Sequence, residues 1–136
     1  MTTQAPSWSA LAENPPKIVF IAGPVTGDGS VGGMRDNIQE AELYATALAN
    51  AGIGFYCPHL NARYVLDGSV PDGRAFFPRL HLKVLQLCDG AVFLPGWESS
   101  SGSRIEWDWA GEHALTRFYP LSPDDLGEII AWAQTA

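Results

Sequence analysis

The apolar positions of this chain fall into two patterns. Short continuous apolar runs bounded by Gly, Pro or Asp predict buried strands, and longer stretches with apolar residues every three or four positions predict helices. KIVFIA at 17–22, Ile53 to Cys57 and Ala91 to Leu94 are runs of the first kind, and Phe118 to Leu121 is a weaker fourth. Ile38, Ala41, Ala45 and Leu48, with Tyr44 beside them, recur at helical spacing, with Asp36 as a possible cap ahead of them and Ala51-Gly52 as the stop. Phe77, Leu80, Val84 and Leu87 make a second helical stripe over Arg74 to Leu87, with Pro78 in or near its first turn. A third helix follows the Gly/Ser turn at 96–103, and a last one, capped by Ser122-Pro123-Asp124-Asp125, runs through Trp132.

The resulting order is β-α-β-(loop)-α-β-α-β-α, without internal repeats. It predicts an α/β fold of Rossmann-like or flavodoxin-like type: a three-layer sandwich around a four-stranded parallel sheet ordered 2-1-3-4. The first β-α-β unit should have parallel strands and a right-handed crossover. Residues 1–16, rich in Ser, Thr, Ala and Pro, read as a flexible arm, and 17–136 as a single domain. His59 to Gly73 shows no periodicity and reads as a long binding loop or lid, with Arg63 and Tyr64 as lid candidates.

Composition narrows the classes. Of 136 residues 46% are hydrophobic and 17% charged, which is globular, and no apolar run approaches the ~20 residues of a membrane span. The expectation is a cytoplasmic protein without a membrane partner. A net charge of −7 with scattered basic residues argues against long nucleic acid as a partner, but not against a small phosphorylated ligand. Cys57 and Cys88 each abut an apolar run, so reduced core thiols are expected rather than a bridge. Neither His59 nor His113 stands at metal-ligand spacing from them, so no metal site and no cofactor are expected.

The chemistry concentrates in CDGAVFLPGWESSSGSRIEWDWAG at 88–111. Strand, Gly/Ser turn and helix start present free backbone N–H groups and a positive dipole end to an anion. The turn lies where open parallel sheets bind ligands, beyond the carboxyl ends of their strands. Glu106, early in that helix, is expected to stand ionised at the crevice as the centre of a site. Gly23, Pro24, Thr26 and Gly27 in IAGPVTG at 21–27 form the facing turn.

These two motifs, together with Asn37 ahead of a helix that ends in Gly before a strand and a Pro, resemble the nucleoside 2-deoxyribosyltransferase-like superfamily. The likeness is to its small bacterial and phage branch of unassigned function, and covers about residues 17–120. In the superfamily's enzymes a glutamate after this turn attacks the anomeric carbon of a nucleoside or nucleotide, and Glu106 matches it. The residue six positions earlier is acidic in enzymes for free nucleosides and serine in those for 5′-monophosphates; here it is Ser100, with Gly102 following. The enzymes place an aspartate eight residues before the Asp that opens the strand, to handle the nucleobase proton. Counting back from Asp89 reaches His81, an imidazole in place of the acid.

The resemblance thus implies cleavage or transfer of the N-glycosidic bond of a (deoxy)nucleoside 5′-monophosphate, with Glu106 as nucleophile and His81 as proton donor. Ser100, Ser101 and Gly102 would cradle the phosphate, and Gly23, Pro24, Thr26, Gly27 and Asn37 the sugar. It also implies a homodimer or higher homo-oligomer whose partner helps close the pocket. Trp97 could stack a base or pack at the surface, Asn37 could be a cap, His81 could be a core-edge residue, and Arg104 could meet phosphate or a neighbouring acid. Asp89 is expected to fix the turn into its strand. Two other classes stay open: a non-catalytic nucleotide-binding or sensing module, and an assembly protein built on its Trp-rich helix.

Overall fold

A computed structural model describes residues 16–26 and 30–135; most of the expected arm, and Gly27, lie outside them. The strands are β1 (Ile18–Ala22), β2 (Gly54–Tyr56), β3 (Gly90–Phe93) and β4 (Thr116–Phe118). The helices are α1 (Val31–Asn50), the single turn α2 (Arg63–Leu66), α3 (Gly73–Leu85), α4 (Ser101–Glu112) and α5 (Gly127–Ala133). All strands are parallel and the sheet order is β2-β1-β3-β4, as the pattern of the sequence predicts.

The continuous apolar strands are buried on both faces, and their period of two divides them between two cores. Val19 and Ile21 point with Val92 and Phe118 into a core shared with Ala41, Tyr44 and Leu48 of α1 and Ile129 of α5. Phe20 and Ala22 point with Ala91 and Phe93 to the other side, against Leu85 of α3 and Ala110 of α4. Helices therefore cover both faces, which makes the three layers. Cys57 and Cys88 are buried free thiols. The Asp89 carboxylate accepts the Ile18 N–H at 2.8 Å, so it ties the entry of β3 to the entry of β1 rather than closing its own turn.

Five details differ from the expected ones. Helix α1 begins at Val31, capped by Ser30, whose hydroxyl accepts the Gly33 N–H at 3.0 Å; Asp36 lies inside the helix. The 59–73 stretch is partly ordered by a 3₁₀ turn at Pro58–Asn61 and by α2. Strand β4 ends at Phe118, where Phe118–Leu121 was expected. Asp125 accepts the Leu121 N–H at 2.9 Å and so closes a turn, while α5 starts after Leu126 without a side-chain cap. Leu87, expected in the apolar stripe of α3, falls beyond the helix and is exposed.

From β1 the chain crosses to β2 on one side and then to β3 on the other. The carboxyl ends of β1 and β3 are thus the point at which the winding reverses, where such sheets open a crevice.

Candidate functional site

A cavity of about 530 Å³ occupies that crevice, within the range of small-molecule sites. Its floor is the turn that follows β1, Gly23 to Thr26. One wall is the turn after β3 and the start of α4, Ser99 to Ser103, with Glu106 one turn further along. The opposite wall is α3, whose residues Arg74, Phe77, Pro78 and His81 share one helix face by their spacing. His59 and Asn61 from the 3₁₀ turn and Val65 from α2 close the remainder. Glu106 is thus brought onto one cavity with the 23–26 turn, the 99–102 turn and His81, with no packed apolar layer between them.

Burial sets the protonation of this wall. The Glu106 carboxyl is half-buried, and desolvation pushes it up to about 8, so it is mostly protonated at neutral pH. The expectation of an ionised carboxylate in the resting protein is corrected accordingly: among the described residues no cation pairs with Glu106, and desolvation alone sets its shift. Desolvation pulls His81 down to about 4, which leaves a neutral imidazole. Its tautomer follows from the bonds around it. Asn61 donates to the Tyr56 hydroxyl at 3.1 Å, so that hydroxyl gives its own proton to His81 Nδ1 at 3.3 Å. The remaining ring proton then sits on Nε2.

His59, which the sequence does not single out as a site residue, is buried at 2% exposure and also pulled down to about 4, chiefly by desolvation. Its Nε2–H donates to the Pro24 carbonyl at 3.1 Å, and its Nδ1 lies 3.6 Å from the Cys57 sulfur. Asn37 donates from its side chain to the Val25 carbonyl at 3.2 Å. It stands in the second turn of α1 and does not line the cavity, so what it holds is the 23–26 turn. Two side chains from different elements thus fix successive carbonyls of that turn.

At the start of α4 the Ser100 hydroxyl accepts the Ser103 N–H at 3.3 Å, which makes Ser100 the N-cap. Ser101 and Gly102 follow with no acidic side chain in the first turn. Nothing lies within 4 Å of where a Gly102 Cβ would stand. The Ser103 hydroxyl is buried without a hydrogen-bond partner among the described residues. Trp97 does not line the cavity. Its ring packs on Phe93 at 5.3 Å, Trp107 at 5.6 Å and Tyr119 at 6.2 Å, so the surface-packing alternative describes its place.

The aromatic face on the cavity is instead Phe77, between Tyr64 at 5.9 Å and His81 at 6.0 Å. Arg104 is exposed and away from the cavity, whereas Arg74, unremarked in the sequence, lines it. Among the described residues no cluster of three His, Cys, Asp or Glu side chains is placed to hold a metal ion. No helix among them is long and apolar enough to cross a membrane.

With this geometry in place, the comparisons add one relationship. Residues 17–119 match a family described as a domain of unknown function, DUF7768. The chain belongs to that family. The match spans β1 to the end of β4, so the DUF7768 domain contains the whole sheet and every wall of the cavity. No curated protein matches the chain. The family carries no assigned activity with it, so chemistry has to be argued from the cavity itself.

Proposed function

We propose that this DUF7768 protein cleaves or transfers the N-glycosidic bond of a (deoxy)nucleoside 5′-monophosphate. The observation that carries the reading is the meeting of Glu106, His81, the 23–26 turn and the 99–103 helix start on one cavity at the switch point of the sheet. The motif likeness to the nucleoside 2-deoxyribosyltransferase-like superfamily supplies the reaction class, and the cavity supplies the parts.

In the proposed reaction the Glu106 carboxylate forms a bond to C1′ while the C1′–N bond breaks, its electron pair leaving with the base. The base nitrogen takes a proton from His81. Water, or the nitrogen of a second base, then displaces Glu106 from C1′ and loses a proton. Water would make the protein a nucleotide N-glycosidase, and a second base would make it a deoxyribosyltransferase. At rest the single mobile proton sits on Glu106, and His81 has none beyond its Nε2–H. Transfer of that proton to His81 creates nucleophile and acid together, without net uptake or release.

The exposed Ile105 on the cavity wall, and the exposed Phe76 next to Phe77, fit an oligomer in which a second copy covers the mouth. Free buried thiols fit a reducing, cytoplasmic setting.

The resting protonation also favours a second reading, a nucleotide-binding module that holds its ligand intact. Incubation with a panel of nucleoside monophosphates, followed by chromatography for free base, separates the two. Base release that disappears in Glu106→Ala supports the enzyme. Tight binding of an intact nucleotide, with no release by the wild-type protein, supports the binding module.

A further inference from the structure

We infer that Arg74 is the residue that selects phosphorylated ligands for this cavity, by gripping the phosphomonoester from the α3 wall. The inference takes from the nucleotide reading only the identity of the ligand.

Arg74 is the sole Lys or Arg among the described residues of the cavity lining. Among the described residues it makes no hydrogen bond and no ion pair, although Asp72 stands two positions away. Its placement runs against local preference. It lies in the first turn of α3, at the positive end of the helix dipole; that turn holds no acidic side chain, and the N-cap Asp72 makes no side-chain cap hydrogen bond. A guanidinium there gains nothing from the fold, and it presents a fork of donors matched to phosphate oxygens. Pro78, four positions on, has no N–H to give to the Arg74 carbonyl, so the backbone at this turn is less tied than in a regular helix.

The described remainder of the wall leaves this charge uncompensated. Among the described residues Glu106 is the only acidic side chain in the lining and is mostly protonated at neutral pH, while His59 and His81 are neutral. The cavity thus carries positive charge inside a chain of net charge −7, whose outer field repels anions. The spacing along α3 fits the ligand. Arg74 and His81 are seven residues apart on one helix face, about 10 Å along the axis, with Phe77 between them. A phosphate at Arg74 places the sugar beside Phe77 and directs the leaving base toward His81.

The test is titration calorimetry of the full chain with a nucleoside 5′-monophosphate, the matching nucleoside and inorganic phosphate. The proteins are wild type, Arg74→Gln and Arg74→Lys. Because Arg74 is exposed and unpaired, the variants should keep the wild-type melting temperature. Loss of a charge-assisted contact should weaken the monophosphate roughly ten- to hundredfold in Arg74→Gln and leave the nucleoside unchanged, with partial recovery in Arg74→Lys. Unchanged monophosphate affinity in Arg74→Gln, equal weakening of monophosphate and nucleoside, or no binding of monophosphate by the wild type would overturn the inference. Arg74-dependent binding without base release would leave the inference standing and remove the glycosidic reading. Base release from monophosphates that Arg74→Gln does not impair would do the reverse.

Discussion

Glu106 and His81 hold their protons in the reverse of the order that the proposed reaction uses, about 8 on the carboxyl and about 4 on the imidazole, each shifted by desolvation. If the reaction needs a carboxylate and an imidazolium, its active form has the same proton count as the resting form. The pH profile of kcat/KM should then be flat between about 4 and 8 and fall on both sides. Among the described residues, the other titratable or charged groups facing this pair are His59, which is neutral in that range, Arg74, and the Tyr56 hydroxyl at His81 Nδ1, whose pKa burial raises further above that range. Replacing His81 by Ala should lower kcat by ~10²–10⁴ and convert the profile to one that rises to a plateau above pH 8. A variant that keeps the wild-type profile would show that His81 is no proton donor. At this scale the sequence exposed Glu106 and Ser100 through their motif, and His81 only by counting along a family pattern. Phe77 was hidden because a stripe at helical spacing does not say which of its members faces a core and which a cavity. Arg74 was hidden because a lone cation in a helix looks like any solvated one.

The elements place these groups through one close approach and one open one. At Gly73 a Cβ would stand 2.9 Å from Val65 Cγ2 and 3.3 Å from the Phe77 ring, so α2 rests directly on the first turn of α3. At Gly102 the same atom would meet nothing within 4 Å. Gly73→Ala should therefore destabilise the fold by ~1–3 kcal/mol through overpacking. Gly102→Ala should leave stability unchanged, or raise it by up to ~1 kcal/mol through helix propensity. The second variant should nonetheless bind nucleoside monophosphates more weakly, because its methyl enters the open approach to the α4 amides. Paired thermal melts and ligand titrations check both; a normal ligand affinity in Gly102→Ala would move the phosphate away from that cradle. The strands were legible because their apolar runs are short, continuous and punctuated by Gly, Pro and Asp. The start of α1 was not, since Gly32 and Gly33 are poor helix formers and Ser30 had to outweigh them as a cap. The end of the chain misled for a similar reason: Ser-Pro-Asp-Asp is cap chemistry, but Asp125 uses its carboxylate to close a turn.

For the molecule as a whole, the buried site stores a pH dependence. Folded Glu106 keeps its proton to about 8, against 4.5 for the ordinary group, so between those values the unfolded chain binds fewer protons and stability falls as pH rises. His59 and His81 act at lower pH. Held near 4 against 6.5, they make stability fall as pH drops through that window. Glu106→Gln should abolish the first trend alone. Its unfolding free energy should gain steadily on the wild type from pH 5 to pH 8, with a slope of at most ~1.4 kcal/mol per pH unit, reduced because solvent partly screens the half-buried carboxyl, and its melting temperature should rise in parallel. A constant difference across that range would place Glu106 in a wetter setting than the cavity wall. The sheet order followed from the alternation of elements in the sequence, and with it the switch point at which the cavity opens. The protonation of the cavity did not, since it depends on burial that no motif encodes.

The central claim is that a glutamate on this cavity breaks a glycosidic bond. Chromatography of nucleoside 5′-monophosphates after incubation tests it most directly, with wild type and Glu106→Ala side by side. Free base should accumulate with the wild-type protein and stay at background with the variant. Equal release by both proteins, or none by the wild type under conditions where it binds the nucleotide, would contradict it.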